Sequence, residues 1–433
     1  MRELIELAPP QERAILVGAP LKRGTDRHHV TEHLEELARL ADTAGALVVG
    51  TLTQQLDRPD PATYIGRGKV EELKLLLTAT QATLVIFDDE LSPAQGKNLE
   101  GELGKRVIDR AELILDIFAV RARSAEARMQ VELAQLEYSL PRLTRMWTHL
   151  EKFRGGIGVR GPGETQLETD RRLVGHRIRL LKERLAEVTK ARQVQRAGRV
   201  GQFRAALVGY TNAGKSSILR GISGSREVFV EDRLFATLDP LTREVDLGEH
   251  RTVLLTDTVG FIRKLPHHLV ASFRATLEEV AEADLLLHVI DCSHPSWEEQ
   301  RLVVDQVLAE LDVQHLPMVY VFNKADRLEP AVAVALRERI ENLAPGSIFT
   351  SAASAEGLEP LRALLRESLA RRRPTVTLRI ASTDGRLLAE AHRCGEEVVA
   401  VPDDSGEWIE LTGRFDAAAL GRFERAGATL RPG

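Results

Sequence analysis

The stretch "RAALVGYTNAGKSSILRGI", from Arg204 to Ile222, constrains the fold of this chain more than any other. An apolar run reads as a buried strand and ends at Gly209. Four residues follow (Tyr210, Thr211, Asn212 and Ala213), then Gly214, Lys215, Ser216 and Ser217, and then a helical pattern. A buried strand that turns directly into a helix needs parallel neighbours and cover on both faces, so the surrounding region is expected to be a doubly wound α/β unit. The glycines let backbone N–H groups curl round a β-phosphate, and the helix N-terminus adds favourable partial charge. Lys215 would reach the β- and γ-phosphates, and the Ser216 hydroxyl would ligate Mg²⁺. A plain turn before a helix is the bland alternative, so the reading depends on what the other strand ends carry.

Three further strand ends carry matching chemistry. "TVLLTDTVGFI" puts Asp257, Thr258, Val259 and Gly260 at a strand tip, where the carboxylate can hold Mg²⁺ through its water shell and the glycine N–H can meet a γ-phosphate. "NKAD" supplies Asn323, Lys324, Ala325 and Asp326. An aspartate there accepts from N1–H and N2–H of guanine, a pair of donors that adenine lacks. Asn323 would tie its loop to the phosphate loop, and the Lys324 stem would cover the base. "TSAAS" brings Ser351, Ala352 and Ala353, with a backbone N–H for guanine O6. Between them, "LFATLDPLTRE" places Phe235, Ala236, Thr237, Leu238 and Asp239 in a loop that should supply a second Mg²⁺ hydroxyl when a γ-phosphate is present. Thr237 and Thr242 are the candidates, and apolar neighbours favour Thr237. The expected ligands are GTP and GDP with Mg²⁺. The metal residues are expected to be Ser216 and, in preference to Thr242, Thr237, and the expected catalytic set is Lys215, Thr237, Asp257 and Gly260.

The residue after Gly260 is Phe261. Many GTP-hydrolysing switches carry there a glutamine that orients the attacking water. Without it, the isolated protein is expected to turn over at roughly 10⁻⁴ to 10⁻² s⁻¹. A partner could order the switch, or Asn212 could ligate a K⁺ ion in the place of an arginine finger. Both remain open at this point.

The rest of the chain divides by period. "AILVGA", "ALVVGT" and "TLVIFDD" (from Ala14, Ala46 and Thr83) read as buried parallel strands with helices between them, a small N-terminal α/β domain over residues 1–120. Met129, Leu133, Leu136, Leu140, Leu143, Trp147 and Leu150 then recur at alternating spacings of 4 and 3, as do Val174, Ile178, Leu181, Leu185 and Val188. That pattern reads as a long antiparallel helical hairpin over 121–202 with a coiled-coil seam, Pro141 kinking its first helix. Residues 203–372 form the P-loop GTP-binding domain. The tail, 373–433, reads as a small βαββαβ domain of α+β type.

Composition bounds the function. The 433 residues hold only two cysteines, Cys292 and Cys394, so no disulfide framework is expected and a reducing cytoplasm fits. No run of about 18 apolar residues exists to span a membrane. Net charge is −5, but residues 142–204 hold 16 Lys or Arg against 6 Asp or Glu. A basic segment in an acidic chain points to a polyanionic partner.

The combination of "RGGIGVRGPGETQLETDRR" (from Arg154), "YIGRGKVEEL", "DDELSPAQGKNLE" and "QVELAQLEYSLPRL" with "GYTNAGKSS", "FATLDP", "DTVGFI" and "NKAD" resembles the HflX family of ribosome-associated GTPases over nearly the whole chain. The resemblance implies that Thr237 is the Mg²⁺ threonine. It also implies binding to the large ribosomal subunit, with a role in splitting or rescuing ribosomes under stress. The residues themselves allow an RNA contact. Gly155, Gly156, Gly158, Gly161 and Gly163, interleaved with Arg154 and Arg160, can lie against a phosphate chain, and Arg171 and Arg172 follow. A monomer is expected. A nucleotide-gated RNA-binding module, in which hydrolysis is incidental, is the competing expectation.

Overall fold

The computed structural model describes residues 11–23, 29–143, 162–196, 202–224, 233–248, 251–265, 279–372, 375–403, 405–415 and 417–432. Its first sheet is built on short apolar runs that are buried in three of its strands, whereas the edge strand Leu47–Thr53, expected to be buried, is largely exposed or half-buried apart from Leu52. The strands are β1 (Arg13–Gly18), β2 (Leu47–Thr53), β3 (Leu84–Phe87) and β4 (Arg106–Asp109), all parallel in the order β2-β1-β3-β4. The helices between them are α1 (Val30–Thr43), α2 (Arg67–Thr80) and α3 (Pro93–Leu103). Leu34, Leu37, Leu40 and Ala41 make the buried stripe of α1, and Ser92 with Gln95 forms a reciprocal cap at the start of α3.

Two helices then leave the sheet, α4 (Arg110–Arg121) and α5 (Ala125–Ser139). The heptad reading put the burial of α5 on Met129, Leu133 and Leu136. Of these Leu133 is buried and Met129 and Leu136 are half-buried, while a second stripe, Ala127, Val131, Ala134 and Tyr138, is buried in the core of the N-terminal unit. Both stripes run at helical spacing, so the sequence alone does not say which faces the larger apolar surface. The helix gives way to a 3₁₀ turn at Leu140–Arg142, where Pro141 has no N–H to continue it. Trp147 and Leu150 lie outside the described residues.

The long helix α6 spans Pro162–Arg196. It therefore begins inside the segment read from sequence as the glycine-rich connection, with Pro162 at its first position, where a missing N–H costs nothing. It packs on α5 through buried Leu181 and the ion pairs Arg177–Glu132 at 2.6 Å and Lys182–Glu137 at 2.8 Å.

The second sheet has six strands in the order β10-β9-β8-β5-β7-β6. These are β5 (Arg204–Gly209), β6 (Leu241–Asp246), β7 (Thr252–Asp257), β8 (Leu285–Asp291), β9 (Met318–Asn323) and β10 (Ile348–Phe349); only β6 runs antiparallel to its neighbour. Around it lie α7 (Lys215–Ser223), α8 (Trp297–Glu310), α9 (Pro330–Leu343) and α10 (Glu359–Arg372). The last sheet is antiparallel, β12-β13-β11-β14, built from β11 (Thr375–Ala381), β12 (Glu396–Pro402), β13 (Trp408–Arg414) and β14 (Thr429–Pro432). Its helices are α11 (Gly385–Cys394) and α12 (Ala417–Arg425), which share a core with Leu378, Ile380 and Leu411. Among the described residues no helix is long and apolar enough to cross a membrane.

One apolar cluster runs from the first sheet into the second. Leu16, Leu37, Ile114, Phe118 and Ala134 belong to it, and so do Tyr210, Phe235, Val259 and Phe261. The N-terminal unit is therefore packed directly against the phosphate loop and the segments around it.

Candidate functional site

β5 delivers the phosphate loop, and α7 begins at its end. Gly214 sits at φ +95°, and a Cβ there would meet the Asn323 side-chain nitrogen at 2.3 Å. Only glycine fits, because Asn323 donates to the Ala213 carbonyl at 2.9 Å. Asn212 also takes a left-handed conformation, φ +60°, which asparagine tolerates better than most residues. Lys215 is buried and donates to the Gly209 and Tyr210 carbonyls at 3.1 and 3.0 Å. Burial pushes its ammonium down to about 8, and the Asp257 carboxylate works the other way.

Three hydroxyl and carboxylate groups converge beside Lys215. Ser216 Oγ lies 2.8 Å from Thr237 Oγ1 and donates to Asp257 Oδ2 at 2.6 Å; Thr237 Oγ1 donates to the same oxygen at 2.9 Å. Asp257 is fully buried, and its Oδ1 has no hydrogen-bond partner among the described residues. An all-oxygen set with an orphaned buried carboxylate oxygen fits a hard cation such as Mg²⁺. Burial raises the Asp257 carboxyl, against the pull of Lys215 and the two hydroxyls. Thr242, the other candidate, pairs instead with Thr256 at 2.8 Å on the β6–β7 ladder. The structure brings together Ser216, Thr237 and Asp257 and leaves Thr242 out. Gly260 lies against the loop as well: a Cβ on it would meet Thr211 Cα at 2.7 Å and Lys215 Nζ at 3.1 Å.

On the far side of the loop, Ser351 Oγ donates to Asp326 Oδ1 at 2.6 Å, which aims the carboxylate. Lys324 Nζ donates to the Asn212 carbonyl at 2.8 Å. Of the TSAAS segment, expected to offer a backbone N–H to guanine O6, the Ala352 N–H donates to Asn323 Oδ1 at 3.3 Å and the Ala353 N–H to Ser351 Oγ at 3.3 Å. Ala325 N–H bonds the Thr350 carbonyl at 3.2 Å. Asn323 and Lys324 are thus bonded to the phosphate loop, and Asp326 follows them on the surface.

Several residues assigned to nucleotide contact turn their side chains elsewhere. Phe235, Leu238, Val259 and Tyr210 are buried in the cluster shared with the N-terminal unit, so what they can offer a nucleotide is backbone. The Phe235 ring meets Phe118 of α4 edge-on at 4.7 Å. The Asp239 carboxylate accepts from Arg123 N at 3.0 Å, from Ser124 N at 3.2 Å and from the Ser124 hydroxyl, at the N-cap of α5. Phe261 is 1% exposed; its N–H donates to Gly209 O at 3.1 Å, and its carbonyl accepts from Thr211 N at 2.7 Å.

A buried ionic group continues this junction, and nothing in the sequence reading assigned it a role. Asp88 accepts from Arg110 at 3.0 Å, from Arg263 at 3.1 Å and from Lys264 at 2.9 Å. Burial alone would raise its carboxyl, but Arg110, Arg263 and Lys264 hold it well below the ordinary carboxylate range. Glu36 of α1 accepts from Arg110 and from the Tyr210 hydroxyl, which in turn accepts from Arg263 N at 2.9 Å. The only sequence signal was the "DDELSPAQ" block, quoted for its family likeness and not for chemistry.

Comparison with known proteins decides the family. Residues 31–119 match a family described as GTP-binding GTPase N-terminal, 121–199 one described as GTP-binding GTPase Middle Region, and 204–324 one described as 50S ribosome-binding GTPase. A protein of Magnetococcus marinus named GTPase HflX is 45% identical, over 97% of this chain and 96% of that one. GTPase HflX of Escherichia coli is also 45% identical, over 93% and 92%. The chain belongs to the HflX family of GTPases. It is accordingly a GTP hydrolase with a ribosome-binding type of GTPase domain. A GTP-binding protein from the archaeon Sulfolobus solfataricus, solved with GDP, is 25% identical with a TM-score of 0.45, covering 83% of this chain and 99% of that one.

Of the residues assigned to an RNA contact in this HflX-family chain, Arg154, Gly155, Gly156, Gly158, Arg160 and Gly161 lie outside the described residues. Gly163 is in the first turn of α6, not in a loop. Arg171 and Arg172 are exposed on α6.

Proposed function

We propose that this protein binds the large ribosomal subunit in its GTP form, with Mg²⁺ on Ser216 and Thr237 and with Asp257 reaching the ion through water. The convergence of those three groups around an orphaned carboxylate oxygen carries the nucleotide half of the reading. Mg²⁺ there would neutralise developing charge on the transferred phosphoryl group. Lys215 would hold the phosphates, Gly260 N–H would meet the γ-phosphate, and Asp326 would read guanine.

The ribosomal half rests on the family description and on α6, whose exposed Arg171, Arg172, Arg179 and Arg184 suit contact with rRNA phosphates. In this reading the units are 1–120, an antiparallel hairpin over 121–202, the GTPase domain over 203–372 and the C-terminal domain over 373–433. The protein acts as a cytoplasmic monomer that splits or rescues ribosomes under stress. Hydrolysis is slow alone and is stimulated by the subunit; K⁺ at Asn212 is the alternative source of activation. Co-sedimentation with purified large subunits tests it. A non-hydrolysable GTP analogue should pellet the protein and GDP should not; equal pelleting with both would remove the nucleotide gate.

A further inference from the structure

Asp291 closes β8, directly beside Asn323 at the end of β9. Its Oδ2 accepts from Lys324 Nζ at 2.6 Å, and its Oδ1 is held by Ser293 N at 3.1 Å and Ser293 Oγ at 2.6 Å. Both side chains are largely buried, at 13% and 14% exposure. The same ammonium donates to the Asn212 carbonyl. Lys324 is therefore stretched between two fixed acceptors, one on the phosphate loop and one at the strand end. A lysine is a flexible stem with a strongly hydrated head, and its direction is set only by what its ammonium meets. Asn212 alone offers one neutral acceptor. Asp291 adds a charge, already oriented by Ser293, and the bond that is ionic at both ends is the stronger of the two.

We propose that Asp291 is a positioning residue for nucleotide binding: it fixes the Lys324 stem along the base site and ties that site to the phosphate loop. The inference rests on the reading that Lys324 and Asp326 flank guanine. It predicts a split effect. Base capture and retention depend on it, whereas the step at the γ-phosphate, assigned above to Lys215, Thr237 and Gly260, does not.

The test is a double-mutant cycle read by the dissociation rate of fluorescent GDP, by kcat at saturating GTP and by the thermal midpoint of the nucleotide-free protein. Asp291→Asn, which keeps an acceptor for Ser293 but removes the charge, should speed GDP release about tenfold. Its kcat should stay within about twofold, and its midpoint, which should fall because Lys324 loses its counter-charge, confirms that the protein is folded at the assay temperature. Asp291→Glu should recover part of the retention, and it serves as the folded comparison if the asparagine variant is unstable. In a Lys324→Met background, Asp291→Asn should add nothing further. Release at the wild-type rate from Asp291→Asn, or its full factor appearing again on Lys324→Met, overturns the inference and leaves the site reading intact. If Lys324→Met alone leaves release unchanged, the base-site reading fails and the role of Asp291 fails with it.

Discussion

Phe261 shows what the site asks of single residues. Its ring is locked in the core shared by two units, and its backbone pairs with the phosphate loop on both sides. Phe261→Ala should cost about 3–5 kcal/mol in denaturant unfolding, the range for deleting a buried aromatic ring. An unchanged unfolding midpoint would contradict that placement. Thr237→Ala removes a hydroxyl from the group it forms with Ser216 and Asp257; if that group holds Mg²⁺ on the γ-phosphate side as proposed, GTP turnover should fall by about hundredfold with GDP affinity changed only a few-fold. Turnover measured with both nucleotides titrated checks the split.

His288, inside β8, titrates against its surroundings. Burial lowers its pKa below 6.5, although Asp305 lies 3.3 Å away. The unfolded chain therefore takes up this proton first. Stability is intact above about pH 6.5 and falls below it, by at most about 1.4 kcal/mol per pH unit. His288→Phe should flatten that slope in unfolding measured from pH 7.5 to 5.5. The four strand-end motifs were legible in the sequence because each is local and its backbone geometry demands particular residue types. Asp88, Glu36 and Asp291 were not, since their partners stand 175, 174 and 33 positions away and no spacing rule links them.

Among the elements, α5 carries the link between the switch loop and the helical region. Its N-cap, Ser124, is held by Asp239, two residues past Thr237. If Thr237 ligates Mg²⁺ as proposed, ordering it would also hold the start of α5. Amide exchange over residues 124–128 should slow when a GTP analogue binds the wild type and should not respond in Asp239→Asn; the same slowing in both would remove the link. Helix and strand types could be read from period alone, since apolar runs and 4,3 spacings differ in kind. The facing of α5 could not, because it bears two apolar stripes and the deciding surface comes from α4 and the first sheet. The start of α6 was missed for a related reason: glycines suggested a loop, while Pro162 at the first turn permits a helix.

At the scale of the molecule, a single core and a buried ionic group join the N-terminal unit to the segment after Gly260. Anything that moves this segment must also move, or strain, the first sheet. The chain has a net charge of −5, yet it concentrates positive charge along α6 and the segment before it. Binding to large subunits should therefore weaken steeply between about 50 and 200 mM salt. GTP turnover by the pure protein, alone and with purified large ribosomal subunits, in KCl and in NaCl, separates the possible activators. Slow turnover alone and strong stimulation by the subunit in both salts are expected. Turnover that the subunit leaves unchanged would contradict activation by the ribosome.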